Sequence, residues 1–365
     1  MKVVIVGAGI MGLATAWSLV KRGHRVELLE QGAFPNPLGS SVDDHRVLRR
    51  AYGAERGYQA MTTEAYAAWS RLWADLGRSF YVETGVLYLA KRSDAWLAAS
   101  LESLTEAGVA CERLEPDEAV RRFPAIRPDG IEQAAFVPST GPLEAGEILV
   151  WLGRWLAEKG APVRTQAKVT AVEPERGSVV LADGARVAGD RLVLATGPWS
   201  PSLVPSLADG IAPSRQLAVY LAPPPDLLPL WQSMPVLADL SPEASFYSVP
   251  PQAGMRFKVA GHPFSLAGHP DRDRVATPTD TETVLALVRN RIRDLDRFAV
   301  IETKTCFYDV SGDERFVART LGPTVMLSGF SGHGFKFGAI VGEKVAAALS
   351  GEMTSDALAT WIAGR

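Results

Sequence analysis

The first thirty residues contain a strand, a glycine-rich turn, a helix and a second strand in an order that few folds share. Lys2 to Val6 is a continuous β-branched run, typical of a buried parallel strand, and Gly7-Ala8-Gly9-Ile10-Met11-Gly12 follows it directly. Apolar residues from Ile10 to Lys21 recur at helical spacing, and Arg25 to Leu29 has the pattern of a second strand. The sequence therefore predicts an α/β fold that opens with a dinucleotide-binding βαβ unit.

Each residue type in this turn has a physical reason to be there. Gly7 allows a tight turn, Gly9 lets the backbone approach a pyrophosphate, and Gly12 lets the helix pack closely on the strand. The free N–H groups at the helix start, at Ile10–Met11, suit phosphate oxygens. Glu30 ends the second strand, where a carboxylate can bond the ribose hydroxyls of the cofactor. A glycine-rich turn in an unrelated α/β protein is the alternative.

Two later segments favour FAD over NAD as the dinucleotide. The first, 191–200, is an apolar strand that ends in Thr-Gly-Pro-Trp-Ser, and the second, 327–337, is rich in glycine and precedes a helix-like stretch from Phe337 to Leu349. A helix start at this place would face the anionic reduced flavin ring. The further cofactor contacts predicted along the chain are Val169, Thr196, Gly197, Trp199, Gly332, His333, Gly334, Phe335 and Lys336.

The positions of these segments predict two domains. The cofactor segments lie at the beginning, middle and end of a 365-residue chain, so the FAD-binding domain is expected to be discontinuous, over 1–82, 143–212 and 318–365. The intervening segments, 83–142 and 213–317, carry alternating strand patterns and predict a substrate domain on a mixed β-sheet. The strands expected there are Val86 to Leu89, Leu217 to Leu221, Phe246 to Val249 and Arg256 to Val259.

Composition excludes several other classes of protein. The net charge of −3 gives no overall attraction to nucleic acid or to a membrane surface. Neither of the two cysteines is in a CxxC pair and the five histidines lack ligand spacing, so no disulfide framework or metal site is expected. The short apolar start is unlike a signal peptide, and no stretch is long enough to span a bilayer. We expect a cytoplasmic protein.

Several stretches taken together resemble one family over nearly the whole chain. They are the N-terminal glycines, the run from Arg46 to Gly53, Glu83-Thr-Gly-Val-Leu87, Lys258 with His262, Cys306-Phe-Tyr308 and Ser328-Gly-Phe-Ser-Gly-His-Gly-Phe-Lys336. Their combination resembles the D-amino-acid-oxidase-like flavoproteins, and within them the branch of monomeric sarcosine oxidase and N-methyltryptophan oxidase. The resemblance implies a two-domain FAD enzyme that acts on a CH–NH or CH–NH₂ group.

The resemblance also implies roles for individual residues. Arg49 and Lys336 match the pair that holds the substrate carboxylate, and Arg46 matches an arginine near the flavin ring. Lys258 matches the lysine beside flavin N5 that promotes reaction with oxygen, and Cys306 matches the cysteine that bonds the flavin covalently. The positions that match residues lining the substrate cavity are Tyr247, His262 and Tyr308.

The chain departs from the sarcosine oxidases just before these arginines. Those enzymes have a His-His pair where this chain has Ser41-Val42, and Asp43, Asp44 and His45 also differ from their pattern. The substrate is therefore left open among small amino acids and secondary or cyclic amines.

Each of these residues also has an ordinary structural interpretation. Arg49 and Lys258 fit solvent-facing positions, and a lone Cys306 fits a buried small hydrophobe. Tyr247, together with Tyr308, fits a core aromatic position. The resemblance favours the functional interpretation for all of them.

The sequence supports three hypotheses about activity. The first is an oxidase that passes a hydride from the α-carbon of an amine to flavin N5, releases an imine and reduces O₂ to H₂O₂, as a monomer. The second is a dehydrogenase of the same fold with another electron acceptor, against which Lys258 argues. The third is a flavin-bearing subunit without turnover of its own.

Overall fold

The computed structural model describes residues 1–365 and arranges them in four β-sheets with ten α-helices. The strands are β1 Lys2–Val6, β2 Arg25–Leu29, β3 Arg46–Leu48, β4 Val86–Ala90, β5 Glu112–Leu114, β6 Gln133–Val137, β7 Gly141–Leu143, β8 Val163–Arg164, β9 Val169–Glu173, β10 Ser178–Leu181, β11 Arg186–Ala188, β12 Arg191–Leu194, β13 Ile211–Ala222, β14 Val236–Asp239, β15 Phe246–Val249, β16 Phe257–Gly261, β17 Ala299–Ser311, β18 Val317–Leu321 and β19 Thr324–Ser328. The helices are α1 Ile10–Lys21, α2 Arg56–Leu76, α3 Ala95–Glu106, α4 Pro116–Arg122, α5 Ala145–Glu158, α6 Ser200–Leu203, α7 Leu228–Gln232, α8 Pro278–Val288, α9 Gly338–Leu349 and α10 Ser355–Ile362.

A six-stranded sheet is assembled from distant parts of the chain. Its order is β18-β19-β12-β1-β2-β8, and every neighbouring pair is parallel except β18 with β19. Strand β1 lies between β12 and β2, so that Val6 pairs with both Leu194 and Leu29. The carboxyl ends of three strands thus meet at one edge, where ligands bind in open α/β sheets.

The two faces of this sheet are covered differently because neighbouring side chains of β1 point in opposite directions. Val3 and Ile5 pack into the largest apolar core, with α1, α2, α5 and α9. Val4 and Val6 pack toward the antiparallel sheet β11-β10-β9. Both faces are therefore buried, which accounts for the continuous apolar sequence of β1.

The second large sheet is mixed. Its order is β17-β13-β16-β15-β14-β4-β6-β5, and all its pairs are antiparallel except β14 with β4. Strands β13 and β17 form its longest pair, from Ile211 opposite Ser311 to Ala222 opposite Ala299. Strand β16 lies between β13 and β15 and carries Lys258. The small sheet β3-β7 lies outside both large sheets.

The predicted α/β architecture, with a Rossmann-like part and a mixed sheet, is confirmed. The predicted bounds of β1, α1, β2 and β15 are those of the structure. Strand β13 is longer than predicted because its partner β17 continues beside it. Helix α9 begins at Gly338, after a 3-10 turn over Phe335–Phe337, rather than at Phe337. None of the helices combines the length and the apolar character needed to span a membrane.

Candidate active site

A cavity of about 440 Å³ opens at the carboxyl ends of β1, β2 and β12. It extends from the acidic end of β2 to the glycine-rich turn before α9. The predicted cofactor residues that line it are Gly7, Gly9, Ile10, Met11, Glu30, Arg46, Val169, Thr196, Gly197, Trp199, Gly332, Gly334 and Phe335. Residues from all three predicted cofactor segments therefore surround one space, whose volume is in the range of cofactor sites.

The first glycine turn needs glycine at two positions. Gly7 has a φ of +101°, where side chains are strained. A Cβ on Gly12 would lie 1.9 Å from the carbonyl oxygen of Gly7, so any side chain would push α1 off the turn. Gly12 does not line the cavity. Its place matches the packing contact that the sequence predicts.

Glu30 holds the shape of this end of the cavity. Its Oε2 accepts a hydrogen bond from the amide of Ala8 at 3.0 Å, and its Oε1 accepts from the amide of Gly32 at 3.1 Å and from Nδ2 of Asn36 at 2.8 Å. The carboxylate is thus fixed where it also lines the cavity.

The donor set fits FAD. The N-terminal end of α1 faces the cavity, where Gly9 and Ile10 are lining residues, and a helix start attracts a pyrophosphate. The amide of Ile10 meets Ser41 Oγ at 3.0 Å, so Ser41 shapes the same surface. Ser41 is separated from Ile10 by 31 residues, and the sequence marked it only as a departure from the His-His pair of the sarcosine oxidases.

A second group of side chains surrounds the expected substrate position. Lys336 is 5% exposed and donates to Tyr52 Oη at 3.0 Å and to the carbonyl oxygen of His333 at 2.7 Å. The guanidinium of Arg49 lies 4.4 Å from the centre of the Tyr52 ring. Burial, followed by repulsion from Arg49, holds the pKa of Lys336 well below its usual value. Neither cation has a carboxylate within 4.0 Å.

His262, Tyr247 and Lys258 continue this group on the mixed sheet. The rings of Tyr247 and His262 are 5.7 Å apart, and Lys258 Nζ lies 5.5 Å from the Tyr247 ring. Burial and the nearby Arg49 lower the pKa of His262 to about 4, so its imidazole is neutral at physiological pH. The structure therefore brings Arg49 close to His262 and Lys258 close to Tyr247, at two neighbouring aromatic rings.

Tyr308 and Arg46 lie between the cofactor cavity and the second group of side chains. Both line the large cavity, and burial raises the pKa of Tyr308 well above its usual value. Burial lowers the pKa of Arg46, Asp43 raises it, and the net direction is upward. Arg46 thus stays charged at the boundary between the cofactor cavity and the second group.

Asp43 and Asp44, which depart from the family pattern, each have a basic partner. Asp43 is bonded by Arg46 Nη1, by Tyr220 Oη and by Lys258 Nζ, the last at 2.9 Å. Asp44 is bonded by Nε and Nη2 of Arg256 at 2.8 and 2.9 Å. Both carboxylates are therefore counterions within the protein, and neither is free to repel an anionic substrate.

Besides Gly12, three predicted cofactor residues lie outside the wall of the large cavity. His333 is in an aromatic cluster, with Nδ1 at 3.2 Å from Tyr52 Oη and Nε2 at 3.2 Å from the carbonyl oxygen of Glu314. Lys336 is buried within the 3-10 turn over Phe335–Phe337. Cys306 lies on β17 with a free thiol. The sequence motif alone did not separate residues that face the cavity from those that support its wall.

The residues missed by sequence reasoning come mainly from loops. They share the large cavity with the predicted residues and include Ser40, Ser41, Asn36, Lys168, His269, Asp271 and Asp309. Asp309 is buried, and burial raises the pKa of its carboxyl group to about 6. It directly follows Tyr308, which is the one local signal that could have indicated it.

Comparison with known proteins agrees with this geometry. The model of the family described as FAD dependent oxidoreductase matches residues 2–348. The chain is 30% identical to monomeric sarcosine oxidase of Bacillus sp. (strain B-0618), over 97% of this chain and 93% of that protein. It is 31% identical to peroxisomal sarcosine oxidase of Homo sapiens, over 93% and 90%.

The fold has counterparts among solved structures. L-proline dehydrogenase from P. horikoshii superposes with a TM-score of 0.84 at 20% identity, over 100% of this chain and 96% of that one. The family resemblance drawn from the sequence is confirmed, and the chain belongs to the FAD-dependent oxidoreductase family.

Proposed function

We propose that this protein is an FAD-dependent oxidase of a small amino acid or a secondary or cyclic amine. The observation that carries the proposal is the pair of basic side chains, Arg49 and Lys336, that meets at Tyr52 without a carboxylate partner. Lys336 is buried and Arg49 is half-buried, and basic side chains in such positions are normally paired with an acid. A site that leaves both without one is suited to an anion, and a carboxylate suits the planar guanidinium.

The same group of residues suits the amine end of such a substrate. The neutral His262 lies close to Arg49 and Tyr247 lies next to His262, so the amine would meet uncharged groups rather than a free carboxylate. An uncharged setting favours the neutral amine, which is the form able to release a hydride from its α-carbon. FAD, when bound, accepts that hydride, and the imine product then hydrolyses in water.

We assign the reaction with oxygen to Lys258. This lysine is 1% exposed, and its ammonium lies on the mixed sheet next to Arg46, which lines the cofactor cavity. A fixed positive charge in a dry site stabilises superoxide as negative charge develops on oxygen. The products would be H₂O₂ and oxidised cofactor, which favours an oxidase over a dehydrogenase.

We also propose that FAD is attached covalently through Cys306. The thiol is free and lies near the guanidinium groups of Arg46 and Arg274. The thiolate is the form of a cysteine that makes such a bond. Acid precipitation tests this directly, because covalent flavin stays with the protein pellet and is lost from it in Cys306→Ser.

The test of the activity begins without oxygen. Purified holoenzyme is mixed anaerobically with N-methyl, cyclic and primary amino acids, the visible flavin band is followed, and air is then admitted. We expect one class to bleach the band and air to restore it with one H₂O₂ per amine. Bleaching with slow recovery in air would indicate a dehydrogenase, and a panel that never bleaches would contradict amine oxidation. Size measurement on the same sample tests the proposed monomer.

A further inference from the structure

The buried Lys258 and the half-buried Arg46 share a single carboxylate oxygen beside the proposed oxygen site. Arg46 Nη1 and Lys258 Nζ both bond Oδ2 of Asp43, while the phenol of Tyr220 donates to Oδ1. The side chain of Lys258 is 2% exposed and that of Asp43 is 7% exposed. The carboxylate is therefore filled by three donors and carries one negative charge between two positive ones.

Comparison of the two buried lysines indicates what Asp43 does. Lys336 has no carboxylate, and burial together with Arg49 favours its neutral form. Lys258 is at least as deeply buried and has Arg46 as a neighbour, but it has Asp43. The two lysines thus differ in that Lys258 has a carboxylate counterion in contact and Lys336 has none.

Loss of the Asp43 charge would change the protonation of Lys258 rather than that of Arg46. Two like charges on one buried site repel each other strongly, and burial of an unpaired ammonium is costly. A guanidinium does not lose its proton in proteins, whereas a lysine ammonium does so readily when it is buried. Lys258 is therefore the group that would become neutral or turn away.

We propose that Asp43 is a positioning residue that keeps the Lys258 ammonium charged and aimed for the reaction with oxygen. The proposal rests on the oxygen role that we assigned to Lys258 in the proposed function. It explains why an acidic residue is present in a site whose substrate is an anion. It also assigns the two lysines to different half-reactions. Lys336 binds the substrate during flavin reduction, and Lys258 acts in the reaction of the reduced flavin with oxygen.

The other groups around Lys258 do not replace this counterion. His45 is neutral, because burial and Lys258 lower its pKa to about 3, and its Nε2 donates to the carbonyl oxygen of Arg256 at 3.1 Å. Tyr247 is a phenol 5.5 Å away, measured from Lys258 Nζ to the ring. Lys304 adds a further positive charge on β17 and donates to the carbonyl oxygen of Val42 at 2.9 Å.

Two more groups complete this environment. Tyr308 faces Arg46 and Asp43 from β17, and burial keeps its phenol protonated by raising its pKa well above the usual value. Asp44 and Glu302 are both engaged by Arg256, with Glu302 Oε2 at 2.7 Å from Nη1. Asp43 is thus the carboxylate on which the charge of Lys258 depends.

The experiment measures the two half-reactions separately in Asp43→Asn holoenzyme. Asparagine keeps the size of the side chain and removes its charge. Asp44→Asn is the matched control, since it removes the same charge one residue away from a different partner. Asp43→Glu retains a carboxylate, Lys258→Met removes the cation, and the double variant Asp43→Asn with Lys258→Met removes both.

We expect Asp43→Asn to slow flavin reoxidation at pH 8 by on the order of tenfold or more, with recovery as the pH falls. In the wild type, in Asp44→Asn and in Asp43→Glu, the rate of flavin reoxidation should not depend on pH at pH 8 and below. The visible spectrum of oxidised Asp43→Asn should also change with pH without substrate, and this change should vanish in the double variant. A Lys258 that becomes neutral predicts both effects, whereas a general loss of structure predicts neither.

Each alternative result has a defined meaning. If Asp43→Asn reoxidises like the wild type at every pH and shows no spectral titration, the proposal is wrong. If Lys258→Met reoxidises normally, the oxygen role of Lys258 fails, and the spectral titration still decides whether Asp43 controls its charge. If Asp43→Asn does not fold, the double variant should regain stability, because the repulsion between Lys258 and Arg46 is gone. A double variant that is equally unstable would overturn the proposal.

Discussion

Binding of a carboxylate to this protein should take up a proton on Lys336. The neutral amine has two hydrogens, and the structure gives it two acceptors, Tyr52 Oη at 3.0 Å and the carbonyl oxygen of His333 at 2.7 Å. Tyr52 in turn lies 3.2 Å from His333 Nδ1 and can donate to it. The neutral form of the lysine is therefore fully satisfied by these two acceptors, and a bound anion would accept a third hydrogen.

The size and sign of the effect follow from linkage. Burial and Arg49 place the pKa of free Lys336 well below its usual value, and a bound carboxylate raises it. Below the free pKa the lysine is charged in both states and the affinity is constant and highest. Between the two pKa values the dissociation constant should rise about tenfold per pH unit, or about 1.4 kcal/mol. Above the higher pKa the lysine is neutral in both states, and the tighter carboxylate binding that its charge provides is lost.

Calorimetry measures the proton directly. A carboxylate without an amine, such as propionate, is titrated into the holoenzyme in buffers of different ionisation enthalpy, so that no substrate group titrates in the chosen range. We expect uptake to approach one proton and to disappear in Lys336→Met, where weaker binding through Arg49 remains. Zero uptake at every pH, or the same pH slope in Lys336→Met, would refute the assignment.

Other substitutions should separate the roles of the site residues. Lys258→Met should slow reoxidation in air by about 100-fold or more and leave anaerobic reduction nearly unchanged, as stopped-flow absorbance can show; equal losses in both steps would remove its oxygen role. Arg49→Ala should weaken propionate binding by about 2 kcal/mol or more, roughly 30-fold, whereas Arg50→Ala, whose guanidinium stacks on Tyr66, should bind normally. Gly12→Ala should cost about 3 kcal/mol and release FAD, because its Cβ would lie 1.9 Å from the Gly7 carbonyl oxygen; a variant with unchanged thermal midpoint and full flavin content would contradict this packing.

The parts of the fold that the sequence predicts well are those fixed by local pattern. The apolar run of β1, the glycines after it and the helical spacing of α1 lie within one short segment, and all their bounds were predicted to the residue. Helix α2 was not singled out by any motif, although the indole of Trp69 on this helix donates to the carbonyl oxygen of Lys336 at 2.7 Å.

The ion pairs of the site show why the rest could not be predicted. Asp43 is 177 residues from Tyr220 and 215 residues from Lys258. Its role depends on how β13 and β16 pair side by side in the mixed sheet, and no local spacing records that pairing. The sequence therefore identified Asp43 only as a departure from the family pattern, and its partners are evident only from the paired strands of the sheet.

The path of the chain through the six-stranded sheet also sets when the cofactor can be held during protein synthesis. Strands β1 and β2 leave the ribosome well before β19, the glycine turn at Gly332 and helix α9. Since these later segments pair with β12 and pack against α1, the nascent protein has no closed cavity until they have been made. Flavin retention should therefore follow the synthesis of α9, and chains truncated before this helix should fail to hold the cofactor.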